Sequence, residues 1–241
     1  MQIPNPSQLR SCLIPALPRI SVLLPFPNVN RARFNPTVVL LDWDGMLLDS
    51  YAADVRAYMA MFRALQIDWD PALIERHYSP DWYQVYRAAR IPTHRWAEAD
   101  RIWRAAYATE RPALLSGARA ALRALEGRFR MGLVTSGSCS RVERQIRHFG
   151  FTRLFPASVF GEDTRRKKPD AAPLRLALAR LRATPAECVY VGDTPEDVEM
   201  ARRAGTRVIG VLGPFPSANG MSAARPDVLL PSIRELPAYL I

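Results

Sequence analysis

Lysine is almost missing from this chain. Of its 33 basic residues only Lys167 and Lys168 are lysine, and the rest are arginine spread along the whole length. The net charge of +10 therefore reads as a compositional bias. No compact basic run or nucleic-acid module accompanies it, which argues against a nucleic-acid partner. Cysteine is scarce as well: Cys12, Cys139 and Cys188 lie far apart with no Cys-x-x-Cys spacing. That excludes a disulfide framework or zinc site and fits a reducing, cytoplasmic compartment. Cys139 reads either as a reactive thiol beside a site loop or as a passive small residue. No stretch approaches the ~18 apolar residues of a membrane span; the nearest, Ile20 to Phe26, is broken by Pro25. Acidic residues are absent from residues 1–36, which hold Arg10, Arg19, Arg31, Arg33 and seven of the 21 prolines. Those prolines forbid a long amphipathic helix, so this segment reads as a basic, poorly ordered leader, either an organelle-targeting peptide or an upstream start that adds no function.

What the chain does contain is organised around Val38 to Ser50, VVLLDWDGMLLDS. Four apolar residues predict a buried parallel strand that runs directly into Asp42 and Asp44. Residues i and i+2 of an extended chain share a face, so both carboxylates can address one small volume at the carboxyl end of the sheet, where open α/β folds bind ligands. Close carboxylates repel unless a cation lies between them, and a hard, oxygen-liganded ion, Mg2+ above all, suits them. One carboxylate could then attack an electrophile while the other moves a proton. The alternative is a pair of turn-forming acids, since strand-Asp-x-Asp-Gly also occurs in ordinary turns.

Val55, Tyr58, Met59, Phe62 and Leu65 follow at helical spacing, and helical pattern continues over Pro71 to His77, Asp81 to Arg90 and His94 to Arg111. An all-helical insertion, residues 51–115, thus interrupts an α/β pattern of 37–50 and 116–241. It carries half of the aromatic residues, which read as the core of a small bundle. Its His77 to Tyr83 segment either touches a substrate or packs that bundle. The α/β pattern resumes at Phe129 to Val134, whose strand ends in Thr135-Ser136-Gly137-Ser138 before a helix that Gly150 stops. Hydroxyls beside helix N-terminal amides suit a phosphate oxygen, and Ser136 or Ser138 is equally suited to capping the helix. A weaker strand near Ala157 to Phe160 leads to the two lysines and Pro169. There Lys168 could neutralise a phosphoryl group or keep a nucleophile ionised, or the run is a solvated basic loop. A further strand, Cys188 to Val191, ends in Gly192-Asp193-Thr194-Pro195-Glu196-Asp197, and Arg207 to Leu212 and Asp227 to Leu230 supply two more short strands. Asp193 could join Asp42 at a metal, with Asp197 four residues on and facing the same way. Thr194 and Pro195 open a helix that Gly205 ends, with Glu196 and Glu199 as helix-dipole and surface residues.

In this order the four stretches resemble the haloacid dehalogenase-like hydrolase superfamily, in particular its phosphoglycolate phosphatase-like members with a helical cap after the first motif. The motifs are Asp42-Trp43-Asp44-Gly45, Thr135, Lys168 before Pro169, and Gly192-Asp193 with Asp197. The resemblance implies a Rossmann-like parallel-sheet core, a cap, and a phosphomonoester hydrolase acting on a small phosphorylated metabolite as monomer or homodimer. It implies Asp42 as nucleophile, Asp44 as acid and base, and Thr135, Ser136, Gly137 and Lys168 around the phosphoryl oxygens. Mg2+ would be held by Asp42, the Asp44 carbonyl and Asp193, with Asp197 behind them. Met46 departs from the threonine or valine usual in the family. Asp54 stands where sugar phosphomutases of similar build carry a histidine, which disfavours that alternative. The rival from another class is a non-catalytic binding protein on this scaffold, and the intact carboxylates argue against it.

Overall fold

A computed structural model describes residues 35–241; residues 1–34, nearly all of the predicted leader, lie outside the described residues. The VVLL stretch forms β1 (Val38–Leu41), fully buried as an apolar run with no alternation requires. Helices α1 (Tyr51–Ala64), α2 (Pro71–His77), α3 (Trp82–Ala88), α4 (Trp96–Tyr107) and α5 (Ala118–Leu125) separate it from β2 (Arg130–Val134). Then come α6 (Cys139–Phe149), β3 (Ala157–Val159), α7 (Ala172–Leu181), β4 (Cys188–Gly192), α8 (Pro195–Ala204), β5 (Arg207–Val211), a short α9 (Met221–Ala224), β6 (Val228–Leu230) and α10 (Leu236–Leu240). The predicted strands are all present within two residues. α5 was not anticipated, although Ala118, Ala121, Leu122 and Leu125 line its buried face at helical spacing.

The six strands form one parallel sheet in the order β3-β2-β1-β4-β5-β6. β1 lies in the middle, and the winding direction reverses between it and β4. This is the topological switch point at which a crevice opens beyond the strand ends. In register, Leu41 sits beside Val191, so Asp42 and Asp193 leave neighbouring strands side by side. α1 to α4 surround a separate apolar cluster that includes Tyr58, Met61, Phe62, Ile74, Val85 and Tyr86. Local signals set their ends: Asp70 caps α2 by accepting from the Leu73 amide at 2.8 Å, and Asp81 caps α3 through Tyr83. None of the described helices is long and apolar enough to cross a membrane.

The turn after β1 is itself core. Trp43, Met46, Leu47 and Leu48 have no exposed surface, so the methionine that departs from the family's residue fills space within the packing. Met46→Thr is therefore expected to destabilise the protein by about 2–4 kcal/mol, because it leaves a cavity and buries a hydroxyl. Urea unfolding of the two proteins measures this directly.

Candidate active site

Asp42 ends β1, 6% exposed, with its amide still bonded to the Val191 carbonyl at 2.9 Å. Lys168, on the loop before α7, extends a buried ammonium that donates to Asp42 Oδ1 at 2.7 Å and Tyr190 Oη at 2.9 Å and pairs with Asp197 Oδ1 at 2.8 Å. The Tyr190 hydroxyl donates to Asp197 Oδ1 at 2.9 Å. The second oxygen of Asp197 accepts from the Thr194 hydroxyl at 2.8 Å and the Thr194 amide at 3.1 Å, closing a reciprocal cap at the start of α8. Asp197 is thus fully engaged. Asp193 is the opposite case: it has no exposed surface, and neither carboxylate oxygen has a hydrogen-bond partner.

Asp42, Asp193 and Asp197 each offer an oxygen within 4.8 Å of one another. One ammonium does not balance three buried carboxylates, and two orphaned oxygens on Asp193 mark where charge is missing. An all-oxygen donor set of this kind fits Mg2+, for which Asp42 and Asp193 are the available ligands and Asp197 the residue behind them. Without a cation, burial pushes the Asp42 carboxyl from its ordinary 3.8 to about 7, Lys168 opposing and Asp197 and Asp44 adding to the rise. Burial, together with Asp42 and Asp197, drives Asp193 well upward. Burial favours the neutral amine of Lys168, yet Asp197 and Asp42 hold its pKa above the ordinary lysine value.

Gly45 lets these groups meet. Its φ of 78° lies in the left-handed region, and a Cβ there would collide with Asp193 Oδ2 and the Phe215 ring. Across the crevice Thr135, 3% exposed, accepts from the Gly137 amide at 3.0 Å and shapes the turn that precedes α6. Ser138 occupies the N-cap position of that helix, but its hydroxyl makes no capping bond.

Asp44 does not join the carboxylate cluster. Arg141 on α6 grips it with two bonds, Nη1 to Oδ1 at 2.8 Å and Nη2 to Oδ2 at 2.5 Å. Burial alone would raise the Asp44 carboxyl; Arg141, with Ser50 and Lys168, holds it below its ordinary value. Sequence reasoning missed Arg141. Its signal was a charged residue on the α6 face that also carries the buried Val142 and Ile146.

These groups line a cavity of about 110 Å³, with Asp42, Asp44, Thr135, Ser136, Gly137 and Lys168 on the sheet side and Asp54, Tyr78, Trp82 and Trp103 on the helical side. The His77 to Tyr83 segment therefore contributes Tyr78, Ser79, Pro80 and Trp82 to its wall. Burial and the nearby Asp44 lift the Asp54 carboxyl to about 7. Tyr51, Tyr78 and Phe215 meet edge to face or tilted, with centroids 4.8–6.5 Å apart, joining the helical side to the loop after β5. One expectation needs correction: Glu196 is not simply a surface residue, being half-buried with Oε2 lacking a partner. Of the two readings of Cys139, the passive residue fits, since burial and Glu143 raise the thiol pKa, the opposite of what a reactive thiolate needs.

Comparison with known proteins places the chain in a family. A family model described as haloacid dehalogenase-like hydrolase matches residues 39–211. The pyrophosphatase PpaX of Bacillus velezensis is 34% identical over 108 residues, 45% of this chain and 50% of that protein. The phosphoglycolate phosphatase of Escherichia coli K12 is 28% identical over 106 residues, 44% of this chain and 42% of that protein. The chain spans about half the length of the curated relatives it matches. Among solved structures, CbbY from Rhodobacter sphaeroides in complex with phosphate superposes with a TM-score of 0.74 at 26% identity, covering 85% of this chain and 99% of that one.

An acid whose pKa is raised on folding favours the folded state while protonated. For Asp42 that contribution is complete below about 3.8 and is lost as pH climbs through about 7. Metal-free protein should therefore lose this support between those values, and Mg2+ should restore stability most where the carboxylates are ionised. At a hundredfold excess over Kd the gain corresponds to about 3 kcal/mol, or a Tm rise of about 5–10 °C. Thermal melts with Mg2+ and with chelator should show a larger difference at pH 8 than at pH 5.5.

Proposed function

Because this chain belongs to the haloacid dehalogenase-like hydrolases, we propose that it is a Mg2+-dependent phosphatase acting on a small phosphomonoester through an aspartyl-phosphate intermediate. The observation that carries this reading is the convergence of Asp42, Lys168 and Asp193 at the switch point, with both Asp193 oxygens buried and unpaired. Residues 37–50 and 116–241 serve as the catalytic core and residues 51–115 as the cap that encloses the leaving group.

Asp42 is the nucleophile. One of its oxygens attacks phosphorus while the bond to the leaving oxygen breaks, and Asp44, which must be protonated and freed from Arg141 for this step, supplies the proton that the departing oxygen takes. A water molecule then attacks the same phosphorus, giving its proton to Asp44 as the bond to Asp42 breaks and phosphate leaves. Lys168 keeps Asp42 oriented and offsets phosphoryl charge, and Thr135 with the backbone of Ser136 and Gly137 holds the phosphoryl oxygens. Mg2+, held by Asp42, Asp193 and the Asp44 carbonyl, would supply charge neutralisation between the anionic nucleophile and the anionic substrate. Asp197 and Tyr190 act one step back, fixing the Lys168 ammonium. The similar proteins, a pyrophosphatase and a phosphoglycolate phosphatase, make pyrophosphate and 2-phosphoglycolate the first compounds to try.

The test is phosphate release from a panel of phosphate esters with Mg2+. Wild type should turn over at least one small ester, and Asp42→Asn should lower kcat at least about 10³-fold, the scale at which loss of an attacking group registers. No release from any ester by the wild type would refute the phosphatase reading.

A further inference from the structure

The chemistry above leaves one strong interaction in the cavity unexplained. Arg141 is 9% exposed, and its guanidinium spans both oxygens of Asp44. It lies 4.9 Å over the Tyr107 ring, and Gln145 approaches Nη1 at 3.4 Å. The third guanidinium nitrogen, Nε, is buried with no partner at all. Space for this group comes from Gly137, where a Cβ would collide with the guanidinium and with Val142. The cation is therefore packed between the turn proposed to hold the phosphoryl group and the carboxyl proposed to serve the leaving oxygen.

A guanidinium in that position is a fork-shaped receptor for a second oxyanion. Of the other cations lining the cavity, Lys168 is held by Asp42 and Asp197, while Arg104 is half-exposed, 3.9 Å from Glu162, so its charge stays largely in water. A neutral leaving group gives Arg141 nothing better than Asp44, and the group that must serve the leaving oxygen stays tied. An anionic leaving group offers the same guanidinium a competing partner.

We infer that Arg141 is a specificity-determining residue. It receives a second anionic group carried on the leaving group close to the leaving oxygen, and in doing so it gives up its bonds to Asp44. This rests on the phosphatase reading. It narrows the substrate class to phosphates whose leaving group is itself a carboxylate-bearing alcohol or another phosphate.

The experiment compares kcat/KM, with Mg2+, for 2-phosphoglycolate and pyrophosphate against 2-hydroxyethyl phosphate, whose leaving group is similar in size but uncharged. Wild type should prefer at least one anionic compound by about 100-fold, the scale of one charge-assisted hydrogen-bonding pair, since with the neutral compound Arg141 falls back on Asp44. Arg141→Gln should remove that preference by losing turnover of the anionic compound, with 2-hydroxyethyl phosphate much less affected. Arg141→Lys keeps the charge without the fork and should retain part of the preference; its thermal melt serves as the folding control should the glutamine variant unfold. An equal fall for charged and uncharged substrates would mean that Arg141 merely positions Asp44, and would overturn the inference. So would a wild type indifferent to the second charge. Either result leaves the phosphatase reading standing, whereas absence of phosphate release from every compound would remove that reading itself.

Discussion

The Lys168 ammonium ties this structure together. It reaches carboxylates from two separate segments, Asp42 after β1 and Asp197 in α8, and a hydroxyl from a third, Tyr190 of β4. All of these partners are buried. A lone charge in that environment would be strongly disfavoured, so each group is tolerable only because the others are in place. The sheet end is thereby constrained to one arrangement. Asp193, left over from this balance with two unpaired oxygens, is the residue that the arrangement leaves available for a cation.

Charge at this site runs against charge elsewhere. The chain is strongly basic overall, while the crevice concentrates carboxylates. Many of the arginines form exposed pairs, such as Arg56 with Glu110 and Arg203 with Glu199, which contribute little individually. Arg141 is different because its pair with Asp44 is withdrawn from water. Net charge therefore says nothing about the character of the site, and the position of single residues decides it.

Much of this was legible from the chain alone, for identifiable reasons. Apolar runs without alternation marked β1 and β4, and the acids immediately after them could only lie at the crevice. The scarcity of lysine made Lys168 conspicuous, and Thr194-Pro195 with Gly205 bounded α8. Arg141 was not legible, because one arginine among so many carries no signal until the helix face it shares with Val142 and Ile146 is known. Tyr190 likewise read as strand core; only the approach of Lys168 and Asp197 gives its hydroxyl a task. Asp54 was noticed as a position, but its depth in the cavity depends on how α1 meets the sheet, which no local pattern encodes.

The central place of β1 has a consequence for how the protein is made. Its partners are Arg130–Val134 on one side and Cys188–Gly192 on the other, so during synthesis this apolar strand emerges long before either exists. The helices that come next draw their apolar cluster from nearby sequence, Tyr58 to Trp103, and can consolidate early because their contacts are local. The strand cannot, and its ladder stays one-sided until β4 has left the ribosome. The reactive end of the molecule is consequently completed late, and no truncated chain ending before β4 holds a complete set of the groups proposed for catalysis.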